Sequence, residues 1–184
     1  VAVRADPEPP SADDALRAGL QKVIWAGRLQ IVKRPSGQTV LLDGAHNPAG
    51  AETLRAAVER HFPGTRPALV IGLLVDKDRE AMCHVLAPLA TRIYAAPIDS
   101  ERTATAESVA EVCRRQNPAA EVSVCASLAD ALRRAEQRPF LIVAGSLHFL
   151  GEAMELLHVS PSPGQSERAL NEWNAARLPE TVQA

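Results

Sequence analysis

Apolar residues in this chain fall into short runs that alternate with amphipathic stretches of helical period. Thr39 to Leu42 reads as a strand and Ala49 to His61 as a helix. Ala68 to Leu74 is then a strand and Asp78 to Leu89 a helix, followed by a strand at Arg92 to Ala95 and a helix at Ala106 to Gln116. Val122 to Cys125 and Leu128 to Gln137 form the next such pair, and Phe140 to Ala144 and Leu147 to His158 the last. Leu69-Val70-Ile71 and Leu141-Ile142-Val143 are apolar without alternation, which suits strands covered on both faces. Repeated strand–helix units predict an α/β fold, with a mainly parallel sheet and helices on both sides. A further strand at Leu29 to Lys33, closed by a turn from Arg34 to Gln38, precedes the alternation and is a candidate antiparallel edge. That makes about six strands.

The ends read differently. Residues 1–12 are a polar, proline-containing lead-in, and Asp13 to Val23 fits a short helix that Trp25-Ala26-Gly27-Arg28 breaks. The expected domain runs over 13–158. The tail over 159–184 opens Ser-Pro-Ser-Pro-Gly after Val159 and loses periodicity, apart from a short helix at Glu167 to Ala176. A start at Val1 is compatible with a piece cut from a longer protein. Caps support the helix starts: Asn47 before Pro48, Ser127 three residues before Asp130, and Ser146 directly after Gly145.

Composition narrows the class. Of 184 residues 46% are hydrophobic but only 3% aromatic, so the core is built from Leu, Val, Ile and Ala. The net charge is -2, and no basic stripe with interleaved aromatics points to nucleic acid. Cys83, Cys113 and Cys125 are odd in number and widely spaced, which suggests neither a disulfide framework nor a zinc site. Reduced thiols fit a cytoplasmic setting. No segment reads as a membrane span or signal peptide.

Candidate chemistry gathers where strands end, the place where open α/β sheets bind ligands. Asp43 and His46 lie in Asp43-Gly44-Ala45-His46-Asn47-Pro48, after the strand that ends at Leu42. A carboxylate there accepts hydrogen bonds from a sugar hydroxyl or ties down its own loop, and a neutral imidazole binds an amine or carboxylate ligand or sits on the surface. Arg28 is a candidate phosphate clamp or a surface arginine. Lys77, between Asp76 and Asp78, is a candidate point charge for a carboxylate, while Asp78 reads as a helix cap. Ser146 can serve an anion at the helix N-terminus or act as a plain cap. Arg102, in another strand-end loop, reads as a solvated arginine with an anion-holding alternative. His61, His84 and His158 read as structural or surface residues, and no metal-ligand cluster is visible. The chain has no GxxxxGK[ST], no GxGxxG after a first strand and no GxSxG.

Taken in order, four blocks resemble one family. They are Gly27-Arg28-Leu29-Gln30, Leu42-Asp43-Gly44-Ala45-His46-Asn47-Pro48, Ile71-Gly72-Leu73-Leu74-Val75-Asp76-Lys77-Asp78 and Val143-Ala144-Gly145-Ser146-Leu147. The stretch from Leu16 to Leu157 is similar to the C-terminal domain of folylpolyglutamate synthase/dihydrofolate synthase, within the Mur ligase family. The resemblance implies a Rossmann-like three-layer domain that docks against a central ATPase domain of the same protein. It implies an ATP-dependent ligase joining L-glutamate to folate or dihydropteroate through an acyl phosphate. Magnesium ligands would lie on the ATPase domain, and the fragment would be inactive alone. By resemblance Arg28 faces the phosphates and Asp43 the ribose of ATP. His46 and Ser146 lie near the incoming glutamate, and Lys77 holds the amino-acid carboxylate. Ala26 stands where a proline is expected, and His148 where the family often has an aromatic residue. A peptidoglycan-precursor ligase of the same superfamily is an alternative. So is a non-catalytic regulatory module, although a receiver domain needs an acidic pair that Val32-Lys33-Arg34 does not offer.

Overall fold

The computed structural model describes residues 25–159. The expected lead-in, the helix at Asp13 to Val23 and the tail from Ser160 with its helix lie outside the described residues. Six strands form one sheet: β1 (Gln30–Lys33), β2 (Thr39–Leu42), β3 (Ala68–Ile71), β4 (Arg92–Ala95), β5 (Glu121–Val124) and β6 (Phe140–Ala144). The helices are α1 (Pro48–His61), α2 (Arg79–Leu86), α3 (Ala106–Gln116), α4 (Leu128–Ala135) and α5 (Leu147–Leu156), with a 3-10 turn at Ala87–Leu89.

The strand order is β1-β2-β6-β3-β4-β5. Only β1 runs antiparallel, pairing Gln30 with Leu42 and Lys33 with Thr39 at the sheet edge. The other four pairings are parallel. The expected α/β class and the antiparallel edge are both present. β2, β3 and β6 are buried at every position, because helices cover both faces.

Those faces make two cores. Leu54 of α1, Met82 and Leu86 of α2 and Val109 of α3 pack on Leu41, Leu69, Ile93 and Ile142. On the opposite side, Leu128 of α4 and Phe149 and Leu150 of α5 pack on Val40, Leu42, Val70 and Val143. Alternate residues of each central strand thus serve opposite cores. The site depends on one consequence of this arrangement. The chain leaves β2 toward one face and leaves β6, its parallel neighbour, toward the other. That is a topological switch point, where a crevice opens at the carboxyl ends.

Helix starts follow the cap grammar. The Asn47 side chain accepts a hydrogen bond from the Gly50 amide at 2.8 Å, with Pro48 at the first helical position. Ser127 accepts from the Asp130 amide and Asp130 from the Ala126 amide. Asp78 caps α2 through the Ala81 amide at 3.0 Å. Replacing Asn47 by alanine removes one acceptor from α1 and is expected to cost about 1 kcal/mol in a urea melt.

Several boundaries differ from the sequence reading, and three of the differences have a clear local cause. The strand at Ala68 ends at Ile71, not Leu74, because Gly72 turns the chain while Leu73 remains buried in the loop. The helix expected through Leu89 tightens into the 3-10 turn at Pro88, whose ring nitrogen has no hydrogen to donate. β5 begins at Glu121 and ends at Val124, one residue earlier than its apolar residues suggest.

Candidate functional site

The carboxyl ends of β2, β6, β3 and β4 stand side by side, so their loops form one rim. A cleft of about 300 Å³ opens there, lined by His46, Lys77, Arg102, Ser146 and His148, with Leu74 and Leu147 among its apolar walls. Three of the five expected site residues therefore meet in one cavity, each from a different strand end. Arg28 and Asp43 do not line it. They form a shoulder beside it, at the β1–β2 edge.

Asp43 builds that shoulder. It is 6% exposed. One carboxylate oxygen accepts from the Leu29 amide and the other from the Ala45 amide, both at 2.9 Å. The Gly44 amide donates to the Gly27 carbonyl at 2.8 Å. These bonds hold Gly27 (φ 72°) and Leu29 (φ 47°) in left-handed conformations on either side of Arg28. Leu29 carries a side chain, so its positive φ is a strained backbone stabilised by the Asp43 bond. The loop-tying role weighed for Asp43 in the sequence is thus present. Ala26, in place of the expected proline, leaves the turn intact: the Arg28 amide donates to the Trp25 carbonyl and the Gly27 amide to Gln30. The Arg28 guanidinium lies 5.8 Å from the centre of the exposed Trp25 ring, a cation–π contact. Its Nη1 stands 3.5 Å from the position a Cβ on Gly44 would take, so it reaches over the start of the Asp43–His46 loop.

Burial pushes the Asp43 carboxyl above its ordinary 3.8, against the pull of the Leu29 and Ala45 amides and the charges of Arg28 and His46. The folded state then holds this proton more tightly than the unfolded chain. As pH rises from 3.8 through the raised value, the folded chain carries more protons than the unfolded one, and the stability from this group falls. Urea melts of wild type and Asp43→Asn are expected to differ by an amount that moves against wild type as pH rises from about 4 to about 7. A difference moving the other way contradicts the burial argument.

His46 links shoulder to cleft. Its Nδ1 lies 2.8 Å from the Gly44 carbonyl oxygen. A carbonyl only accepts, so Nδ1 carries a proton, and in the neutral form of the ring Nε2 keeps a lone pair. Ser146, 4% exposed, accepts from the His148 amide at 3.2 Å as the N-cap of α5. Ser146 also lines the cleft, so the cap and lining roles coexist. The His148 Nε2 lies 3.0 Å from the Asp99 carbonyl oxygen, tying α5 to the loop after β4.

Lys77 and Arg102 converge on one Asp76 oxygen, at 3.4 and 2.7 Å. Burial raises the Asp76 carboxyl, but the Arg102 hydrogen bond and both cations outweigh it, and the group sits below the usual carboxylate range. The Arg102 side chain is 62% exposed and also lines the cleft, so its solvated reading and its place on the rim both hold, while Ser100 and His148, which line the cleft too, were not singled out as site residues from the sequence. The signal was the position of Arg102 at a fourth strand end, which acquires meaning only once β4 is seen beside β3.

The protein-family model described as "Mur ligase, glutamate ligase domain" matches residues 27–147. That span takes in all four motif blocks and, apart from His148, the residues that line the cleft. The chain belongs to this family. As a Mur ligase glutamate-ligase domain, it is 30% identical over 150 residues to the dihydrofolate synthase/folylpolyglutamate synthase of Bacillus subtilis, covering 79% of the chain and 34% of that protein. It is 32% identical over 154 residues to the protein of that name from Escherichia coli, covering 84% and 36%. A solved structure of Mycobacterium tuberculosis folylpolyglutamate synthase, complexed with ADP and AMPPCP, superposes with a TM-score of 0.72 at 28% identity. It covers 81% of the chain and 36% of that one. The glutamate-ligase domain thus spans about a third of the length of these relatives.

Proposed function

We propose that this chain is the C-terminal domain of an ATP-dependent ligase that adds L-glutamate to folate or dihydropteroate, a folylpolyglutamate synthase/dihydrofolate synthase. The convergence of His46, Lys77 and Ser146 from three strand ends on one cleft, beside the Arg28 shoulder, carries the reading. Relatives named for both activities, and a neighbour solved with ADP and AMPPCP, support it.

In this reading the acceptor carboxylate takes the γ-phosphoryl group of ATP and ADP leaves; the glutamate ammonium then loses a proton, and the free amine attacks the acyl phosphate, expelling phosphate as the amide forms and a second proton is released. Lys77 holds the amino-acid carboxylate as a point charge. The His46 Nε2 lone pair accepts a hydrogen bond from the ammonium group. Ser146 and the N-terminus of α5 line the glutamate's path. Arg28 meets phosphate oxygens, where a pre-positioned guanidinium stabilises developing charge. Asp43 orients Arg28 through the Leu29 amide, and the second lone pairs of its oxygens face the ribose. Most of this work is positioning, which raises the effective concentration of amine at the acyl phosphate.

The other wall of the site belongs to a central ATPase domain of the same protein. Among the described residues no group of three or more His, Cys, Asp or Glu side chains stands close enough to hold a metal ion. In this reading magnesium is held on the ATPase domain, and the chain alone is inactive. Exposed Trp25, Leu29, Val75 and Leu147 lie around the rim, where closure of the ATPase domain would cover them. The protein carrying this chain together with its ATPase domain is expected to form glutamylated product from ATP, L-glutamate and dihydropteroate or folate. The 184-residue chain is expected to form none. Ligase-rate turnover by the chain alone, or no glutamylation by the longer protein, overturns the reading.

A further inference from the structure

The backbone of Arg28 is tied down on both sides; its side chain is not. The Arg28 amide donates to the Trp25 carbonyl at 3.2 Å, closing a turn over residues 25–28. Gly27 donates to the Gln30 side chain and accepts from the Gly44 amide, and the Leu29 amide is tied to Asp43. These bonds fix where the Arg28 Cα stands. They leave the guanidinium on a long stem with many rotamers. Among the described residues that guanidinium enters no ion pair. What it meets is the indole of Trp25, whose ring centre lies 5.8 Å away at the other end of the same turn. The Trp25 ring is 69% exposed, so packing in the core does not account for it.

We propose that Trp25 is a positioning residue for Arg28, its indole holding the guanidinium over the Asp43–His46 loop for the phosphates of ATP. The proposal rests on the reading that Arg28 meets those phosphates. An aromatic face attracts a cation through its quadrupole, and the indole face does so best. An ion pair would commit the N–H donors of Arg28 to a carboxylate. The ring restrains the charge without taking a place that a phosphate oxygen needs. Closure of the ATPase domain would cover Trp25, and a cation–π contact strengthens as water leaves it. The restraint is then loose in the open protein and firm in the closed one, where phosphoryl transfer takes place.

The test is steady-state kinetics of the ligase proposed above, carrying Trp25→Leu, Trp25→Phe, Arg28→Gln, or Trp25→Leu and Arg28→Gln together. Trp25→Leu keeps apolar bulk and removes the aromatic face. It is expected to raise the KM for ATP about threefold to tenfold and to leave the KM for glutamate unchanged. Trp25→Phe keeps a face and is expected to stay within about twofold of wild type. The double variant is expected to be no worse than Arg28→Gln alone, because Trp25 acts only through Arg28. Suppose Arg28→Gln raises the KM for ATP. The role of Trp25 is then overturned, and the reading of Arg28 stands, if Trp25→Leu has no effect, if Leu and Phe are equally impaired, or if the two losses multiply. If Arg28→Gln leaves the KM for ATP unchanged, that reading falls, and the proposal with it. A second measurement needs no activity. In the NMR spectrum of the 184-residue chain the Arg28 side-chain protons are expected upfield, under the indole ring current, and that shift is lost in Trp25→Leu. Protons unshifted in wild type overturn the proposal.

Discussion

A Gly145→Val chain is expected to lose about 3–5 kcal/mol of stability, a large part of what holds a domain of this size folded. Gly145 has a φ of 126°, a region that residues with side chains rarely adopt. A Cβ there would overlap the Gly72 carbonyl oxygen, and would stand 3.0 Å from the Gly72 carbonyl carbon and 3.1 Å from a Leu73 methyl. Neither neighbour can yield. Gly72 is itself pressed from the other side, since its own Cβ would come 2.7 Å from the Phe149 ring, and Leu73 is fully buried. The two glycines let the ends of β3 and β6 approach each other. That approach places the Lys77 loop and Ser146 on opposite walls of the same cleft. The control is Gly37→Ala: φ is 85° there, but nothing stands within 4 Å of the added carbon. It pays only backbone strain, about 1–2 kcal/mol. Urea melts of the two variants separate clash from strain, and equal losses would contradict the close-approach argument.

In the ligase proposed above, Lys77→Met is expected to raise the KM for glutamate by about tenfold to a hundredfold, with the KM for ATP unchanged. Methionine keeps the length of the side chain and removes only the ammonium. The Asp76 ion pair lost with it is an exposed contact worth little, so stability should hold. Steady-state kinetics with each substrate varied in turn decides it. A rise in the KM for ATP of similar size would put Lys77 on the wrong ligand.

Much of the fold is legible in the sequence because each element carries its own local signal. Thr39–Leu42, Arg92–Ala95, Ala106–Gln116 and Phe140–Ala144 coincide with their apolar patterns to the residue. Legibility fails where burial and hydrogen bonding part company. Leu73 is as apolar and buried as any strand residue, yet it lies in a loop, so β3 looks three residues longer than it is. Cys125 is buried one residue past the end of β5 for the same reason. Strand order is a different matter. β6 inserts between β2 and β3, but nothing in Phe140–Ala144 says which two apolar strands it will join. That pairing decides which loops become neighbours.

The site shows the same division. His46, Lys77 and Ser146 stand out as polar residues directly after apolar strands, a local signal, and the cleft brings them together. Arg102 carries the same local signal, but its exposed, charged setting made solvation the better reading. Its place emerges from the Leu74–Thr103 bridge, a contact between segments far apart in the chain. Asp43 presented two readings, loop tie or ligand contact, and the structure shows the first through the Leu29 and Ala45 amides. The left-handed Leu29 had no signal at all, since its conformation is imposed by Asp43 from the next strand.

The central claim is that the loops after β2, β3 and β6 form one amino-acid-binding wall. Its most direct measurement is an NMR titration of the isotopically labelled 184-residue chain with L-glutamate, following backbone amides residue by residue. The account predicts saturable shifts grouped at His46, Lys77 and Ser146, with the amides of β5 and the C-terminal ends of α1 and α4 unmoved. Shifts that saturate elsewhere while those three loops stay silent would contradict it.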